Sequence, residues 1–312
     1  MRRKLASIDL GTHTARLLIA EWDEDTQDIL PLARYRDYVH LGRCFHSGNG
    51  TLSLPSVRRV SDILRAFRHS IHEYGVETIV AGATGVVRSA QNRDEFLRLL
   101  REETGIKIRI ISGEEEAVLT ATAIHHAIDM GNKPHVMVDL GGGSTEFVVA
   151  QDDEWWARSV SIGASVLTER NLKTDPPARN DISQLRDVIR QSLMNGLDRR
   201  PSPRVFSMAG TGGTIVTLGA LLQNVSLRDL NAQQVHGSKI TRKSVEKLFA
   251  EMITLKREER ISRYGLDADR AGVFPAGVLL TTEIMNFFSM DQLTVCFSDI
   301  LEGLLWEYLA DV

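Results

Sequence analysis

The chain has 312 residues, 43% of them hydrophobic and 25% charged, which is enough apolar material for substantial cores and more natural for two domains than for one. Its formal net charge of −4 excludes a global basic field for nucleic acid, so any polyanion must be met by local groups of Arg, Lys and backbone N–H. Only Cys44 and Cys296 are present, far apart and without C-x-x-C spacing, which excludes a disulfide framework and a thiolate zinc site; no apolar run is long enough to span a bilayer.

The chain opens with Arg2, Arg3 and Lys4, but the apolar run that follows stops at Asp9, too soon for a signal peptide. A reducing cytoplasm, with no membrane and no nucleic-acid partner, is the expected setting. From Asp9 the segment Asp9-Leu-Gly-Thr-His-Thr-Ala-Arg-Leu-Leu-Ile-Ala aligns without gaps on Asp139-Leu-Gly-Gly-Gly-Ser-Thr-Glu-Phe-Val-Val-Ala. The repeat marks two versions of one unit. In each, an apolar run leads to an Asp, a Gly-rich or hydroxyl-rich turn follows, and a second apolar run returns, the pattern of strand, tight turn and strand.

Between the copies the pattern predicts a helix over Val57–Tyr74, a strand over Thr78–Ala83, a helix over Asp94–Glu103 and a strand over Lys107–Ile111, an α/β alternation. Ser112 and Glu115 form a capping box that starts a helix at Gly113, with its body running to about Met130. The expected division is therefore a first domain over 1–129, completed by a C-terminal helix over 299–312, and a second over 130–298. In the second, a strand over Arg204–Ala209 runs into a Gly-rich turn and a helix near Thr214, and helices dominate from Thr241 to Phe288. Thr174–Asp181 reads as an exposed loop. A strand over Leu293–Phe297 precedes the last helix, whose Leu301, Leu304, Leu305 and Leu309 are spaced to pack on the first domain.

The strongest chemical signal is Asp139-Leu-Gly-Gly-Gly-Ser-Thr-Glu146. Gly141, Gly142 and Gly143 expose backbone N–H groups without side-chain obstruction, Ser144 and Thr145 add hydroxyls, and such a turn cradles phosphate oxygens. Asp139 and Glu146 bring hard oxygen ligands beside it, as magnesium requires. Thr12, His13 and Thr14 form the weaker twin, whose weight comes from the repeat. Gly210, Thr211, Gly212 and Gly213 follow a strand and precede a helix, a third place for an anion with a helix dipole behind it. Glu114, Glu115 and Glu116 fall in a first helical turn, where the macrodipole favours carboxylates; alternatively one of them orients a water and takes its proton. Arg88 ends Ala83-Thr-Gly-Val-Val-Arg88 and can offer a guanidinium fork to phosphate. Arg16, Arg88, Arg93 and Lys173 are candidates for a basic track that a long substrate would follow.

Taken in order, Ile8-Asp9-Leu-Gly-Thr, Ala83-Thr-Gly-Val-Val-Arg88, Ile111-Ser-Gly-Glu-Glu-Glu-Ala117, Asp139-Leu-Gly-Gly-Gly-Ser-Thr-Glu146, Ser161-Ile-Gly-Ala and Gly210-Thr-Gly-Gly-Thr214 resemble the exopolyphosphatase/guanosine pentaphosphate phosphohydrolase (Ppx/GppA) family, in its short two-domain form. The Ser-Gly-Glu-Glu-Glu-Ala element separates that family from sugar kinases and chaperone ATPases. The resemblance implies an α/β chain of two actin-like (ribonuclease H-like) domains with a cleft between them, and magnesium-assisted removal of a terminal phosphate by water. It implies Glu116 as general base, magnesium at Asp139 and Glu146, and phosphate at the two Gly-rich turns with Arg88 helping to clamp it. The implied substrate is inorganic polyphosphate, with guanosine pentaphosphate or tetraphosphate as alternatives; an actin-like ATPase or kinase and a polyphosphate or alarmone sensor without turnover are the other readings, and a homodimer is compatible with all of them. Two positions depart from the family's common pattern: Gly-Thr-His-Thr replaces Gly-Ser-Asn-Ser, and Leu301 stands where an Arg commonly precedes the Glu of Ser298-Asp-Ile-Leu-Glu-Gly303.

Overall fold

The computed structural model describes residues 2–42, 50–131, 133–151, 154–197, 207–228 and 230–311. Cys44 and the first residues of the strand expected from Arg204 lie outside them. The chain divides into two compact units, Met1–Ala123 with Ile300–Val312, and Ile124–Asp299. The first division falls inside a helix, before the expected end at residue 129.

In the first unit, β1 (Arg2–Leu10), β2 (Thr14–Asp23) and β3 (Asp28–Tyr38) form an antiparallel meander. Helix α1 (Leu54–Glu73) crosses to β4 (Thr78–Ala83), which lies parallel to β1. Short α2 (Gly85–Ser89) and α3 (Arg93–Thr104) lead to the two-residue β5 (Arg109–Ile110), giving the sheet order β3-β2-β1-β4-β5. The central strands form because Ile8, Leu10, Leu17 and Ile19 pack on one face with Val57, Val60, Leu64 and Phe67 of α1, whose spacing puts one stripe inward. Gly105, at φ 73, lets the chain leave α3 in the left-handed conformation. Helix α4 (Gly113–Ala127) starts where the capping box expects it but ends at Ala127 rather than Met130. On the other face Leu5, Leu18, Ala20 and Trp22 receive Leu301 and Leu305 of the C-terminal helix Ile300–Ala310. That helix crosses α4 so closely that a Cβ on Gly303 would fall 2.1 Å from the Leu119 carbonyl oxygen.

The second unit repeats the plan. Its meander is β6 (His135–Leu140), β7 (Thr145–Gln151) and β8 (Glu154–Val160), followed by α5 (Ala164–Asn171) and α6 (Arg179–Gly196). The strand β9 (Ser207–Thr211) pairs parallel to β6, and α7 (Gly213–Leu222) leaves it directly. After α8 (Ala232–Val235), β10 (Lys239–Thr241), α9 (Arg242–Met252), α10 (Arg257–Tyr264) and α11 (Ala268–Phe287), the strand β11 (Gln292–Val295) completes the order β10-β11-β9-β6-β7-β8. Helix α11 is apolar nearly all round, so it is buried along most of its length. The loop expected over Thr174–Asp181 is shorter, because α6 begins at Arg179 and buries Asp181, whose carboxylate accepts from the Lys173 N–H at 3.2 Å. Both sheets place an antiparallel meander beside parallel strands in the same order, an α/β architecture of two actin-like domains. Each thereby carries its first hairpin turn at the carboxyl ends of its parallel strands, where open α/β sheets bind ligands.

Candidate active site

The glycine turn of the second unit closes the β6–β7 hairpin with a bond from Gly141 N–H to the Ser144 carbonyl at 3.1 Å. The carbonyls of Gly141 and Gly142 point into the N-terminus of α5, where Ala164 N–H donates to the first at 3.1 Å and Ser165 and Val166 N–H to the second at 3.0 and 3.1 Å. Among the described residues the N–H groups of Gly142, Gly143 and Ser144 have no such bond, and all three residues are half-buried. Thr145 differs: its wholly buried hydroxyl donates to the Ile162 carbonyl at 2.6 Å, so its side chain braces the turn.

Asp139 and Glu146 lie directly opposite each other in the β6–β7 register and are 9% and 3% exposed. Ser159 on β8 donates its hydroxyl to Glu146 Oε1 at 2.7 Å. On the other side of Asp139, in the parallel register, stands Thr211, whose buried hydroxyl has no partner among the described residues. A Cβ on Gly212, at φ 93, would fall 2.4 Å from the Leu140 carbonyl oxygen and 2.8 Å from Asp139 Oδ1, so only glycine lets the third turn come this close. Two adjoining buried carboxylates and an orphaned hydroxyl make a hard-oxygen donor set that suits magnesium. Among the described residues no group of three or more His, Cys, Asp and Glu side chains could hold a metal. Magnesium does not need one, since it binds through one or two carboxylates together with substrate phosphates and water.

Gly210 is small for packing: a Cβ there would meet Ile215 Cδ1 at 2.7 Å. Gly213 opens α7 and borders the guanidinium of Arg270, whose Nη2 would lie 3.2 Å from its Cβ and whose Nη1 donates to the Thr217 hydroxyl. Arg270 escaped the sequence reading. Its only local signal is Asp267, which caps α11 by accepting from the Arg270 N–H at 2.8 Å.

In the first unit the twin turn has the same backbone, with Gly11 N–H donating to the Thr14 carbonyl at 2.9 Å. Its chemistry differs. Asp9 faces Arg16 across the β1–β2 register, and the guanidinium gives its Oδ2 two bonds, of 3.0 and 2.7 Å. Thr12 accepts the Val86 N–H at 3.1 Å through its hydroxyl, and the His13 carbonyl accepts the N–H groups of Val39 and His40 at 2.8 and 3.1 Å.

The three successive glutamates separate cleanly. Glu114 is exposed. Glu115 closes the capping box with Ser112, through bonds of 3.1 and 3.2 Å, and pairs with Arg109. Burial works against the charge on Arg109, but Glu115 and Glu307 outweigh it and push its pKa up. Glu116 instead pairs with Arg88 at 2.8 Å, and the same Nη1 reaches the Ile111 carbonyl at 3.0 Å. Arg93 donates to the Arg88 carbonyl at 3.1 Å, so three of the four candidate track cations make contacts of their own. Leu301 belongs to the apolar cluster on β1 and β2, and the buried Glu302 beside it pairs with Arg34 of β3. Glu302 thus meets a cation from β3 rather than from its own helix.

The sequence signature of the Ppx/GppA phosphatase family matches residues 18–311. The chain belongs to this family. Exopolyphosphatase 2 of Mycobacterium tuberculosis is 29% identical over 312 residues, covering 96% of this chain and 97% of that one. A bifunctional 3-dehydroquinate synthase/phosphatase of Fusobacterium nucleatum is 30% identical over 97% of this chain, which spans 46% of its own length. The crystal structure of the Aquifex aeolicus family member superposes with a TM-score of 0.86 at 28% identity, covering 100% of this chain and 99% of that one. An exopolyphosphatase structure from Cytophaga hutchinsonii, at 24% identity, shares the fold with a TM-score of 0.87 over 99% of each chain.

As a Ppx/GppA chain, this protein is a phosphate-releasing hydrolase. The second unit gathers Asp139, Gly141 to Glu146 and Gly210 to Gly213 around one pair of strands, β6 and β9. The first unit gathers Thr12, His13 and Thr14 at its own turn and joins Arg88 to Glu116. Among the described residues, no helix is long and apolar enough to cross a membrane.

Proposed function

We infer that this chain is an exopolyphosphatase, releasing the terminal phosphate of inorganic polyphosphate by attack of water, with magnesium as cofactor. The observation that carries this reading is the pair of buried carboxylates, Asp139 and Glu146, placed directly opposite each other at the base of a turn whose Gly141 and Gly142 carbonyls are bonded to the start of α5 and whose Gly142, Gly143 and Ser144 amides have no backbone acceptor among the described residues. Like charges so placed repel, and a divalent cation between phosphate and protein relieves that repulsion. Asp139 and Glu146 would hold the ion, which when bound offsets charge on the phosphate oxygens. The amides of Gly142, Gly143 and Ser144 and the turn at Gly210 to Gly213 bind phosphate oxygens and are already oriented before charge develops.

Glu116 is the base. Its carboxylate orients a water and takes one proton as the water oxygen bonds to the terminal phosphorus; the bridging bond breaks, and the shortened chain leaves with the electron pair. Arg88 holds the Glu116 carboxylate in place through a bond from Nη1 at 2.8 Å. The names of the relatives support polyphosphate as the substrate. Phosphate release with magnesium, measured in parallel on long-chain polyphosphate, guanosine pentaphosphate and ATP, tests this. Polyphosphate should give the highest kcat/KM. A preference for guanosine pentaphosphate would reassign the substrate, and turnover of ATP alone would overturn the reading.

A further inference from the structure

The motif Ser161-Ile-Gly163-Ala164 has no part in the chemistry above. Gly163 is the cap of α5 and has φ −147 and ψ 166, extended backbone that any residue can adopt, so its conformation does not demand glycine. Space does. A Cβ there would fall 2.4 and 2.5 Å from the carbonyl carbon and oxygen of Gly142 and 2.6 Å from the Gly143 nitrogen. The helix start has no side-chain cap; its Ala164, Ser165 and Val166 N–H groups are satisfied by the Gly141 and Gly142 carbonyls instead.

In a trans peptide the C=O and the N–H of the next residue lie in one plane and point in opposite directions. Tying the Gly141 and Gly142 oxygens to α5 therefore turns the N–H groups of Gly142 and Gly143 the other way. The first unit repeats the device: after β3 the chain returns Val39, His40 and Gly42 N–H groups to the carbonyls of His13 and Thr12. A Cβ on Gly42 would lie 3.0 Å from Thr12 Cγ2. In both units, then, the segment after the third strand grips the oxygens of the first hairpin turn.

We propose that Gly163 is a positioning residue for phosphate binding: by letting the start of α5 close on the glycine turn, it aims the amides of Gly142 and Gly143 at substrate. The inference rests on the assignment of that turn to phosphate. It is tested by two variants with different faults. Gly163→Ala inserts the Cβ. Ala164→Pro deletes the N–H that holds the Gly141 carbonyl, at the first helical position, which accepts proline, and behind an extended residue, which proline prefers. A misplacement of about 1 Å can cost about a hundredfold. Each variant should lower kcat/KM for long-chain polyphosphate by about tenfold to a hundredfold, mostly through KM, and weaken product inhibition by orthophosphate in parallel. A merely structural role predicts a lower Tm with unchanged KM and orthophosphate inhibition in the folded fraction, and that result overturns the proposal. Gly142→Val, which narrows the approach to the amides themselves, separates the two levels. If it too leaves orthophosphate inhibition intact, the phosphate assignment of the turn falls; if it alone weakens inhibition, only the role of Gly163 falls.

Discussion

The turns at Gly11–Thr14 and Gly141–Ser144 share a backbone and oppose each other in electrostatics. Each closes with the same glycine N–H bond and carries an aspartate two residues before that glycine, Asp9 and Asp139. Yet Asp9 faces Arg16, whereas Asp139 faces Glu146. The first turn sets a guanidinium against its aspartate; the second sets a carboxylate there, which is the pair proposed above to hold a cation. A duplicated hairpin thus holds its geometry while one residue changes what it can bind.

The sharpest test is to remove the charge of the proposed base, Glu116. Glu116→Gln should reduce turnover by about a hundredfold to ten-thousandfold while polyphosphate still binds, measured by initial rates and by direct binding. Near-parental turnover would send the assignment to Glu115. Next comes the first turn: Arg16→Ala removes the cation facing the buried Asp9 and should cost about 3 kcal/mol of stability, the lower end for breaking a buried pair because Arg16 retains some contact with water. An unchanged denaturation midpoint would show that Asp9 needs no cation. In the second unit, Asp139→Asn and Glu146→Gln should each raise the magnesium concentration for half-maximal activity by about tenfold or more, and diminish the rise in Tm that magnesium gives the parent. Identical titrations in both variants would remove the ion from this pair. The smallest effect separates neighbouring glutamates: Ser112→Ala should lose about 1 kcal/mol from the cap shared with Glu115, with turnover per folded molecule intact.

Several of these relations are legible without coordinates. The gap-free repeat puts Arg16 on Glu146, and a hairpin with a four-residue turn already places them opposite Asp9 and Asp139. The capping box separates Glu115 from Glu116, because a carboxylate reaching back to the Ser112 N–H is occupied. By contrast, β3 and β8 were missed. Both are edge strands, and in Asp28–Tyr38 exposed and half-buried residues follow one another without the alternation that marks a sheet with one face in water. Helix α5 was missed because its cap is glycine and its capping oxygens belong to residues 141 and 142.

The amino-acid sequence by itself determined the two-fold plan, the positions of the glycine turns and the charges facing each other beside them, since these follow from hydrophobic period, glycine's freedom and the order of residues along a hairpin. Tertiary structure alone decided which charges meet across long separations in sequence and how tightly each turn is held. Arg34 finds Glu302, Arg88 finds Glu116, and Gly163 admits α5 to the Gly142 carbonyl. These partners are distant or unpatterned in sequence, and ion pairs and close approaches depend on separations of a few ångströms that only packing sets.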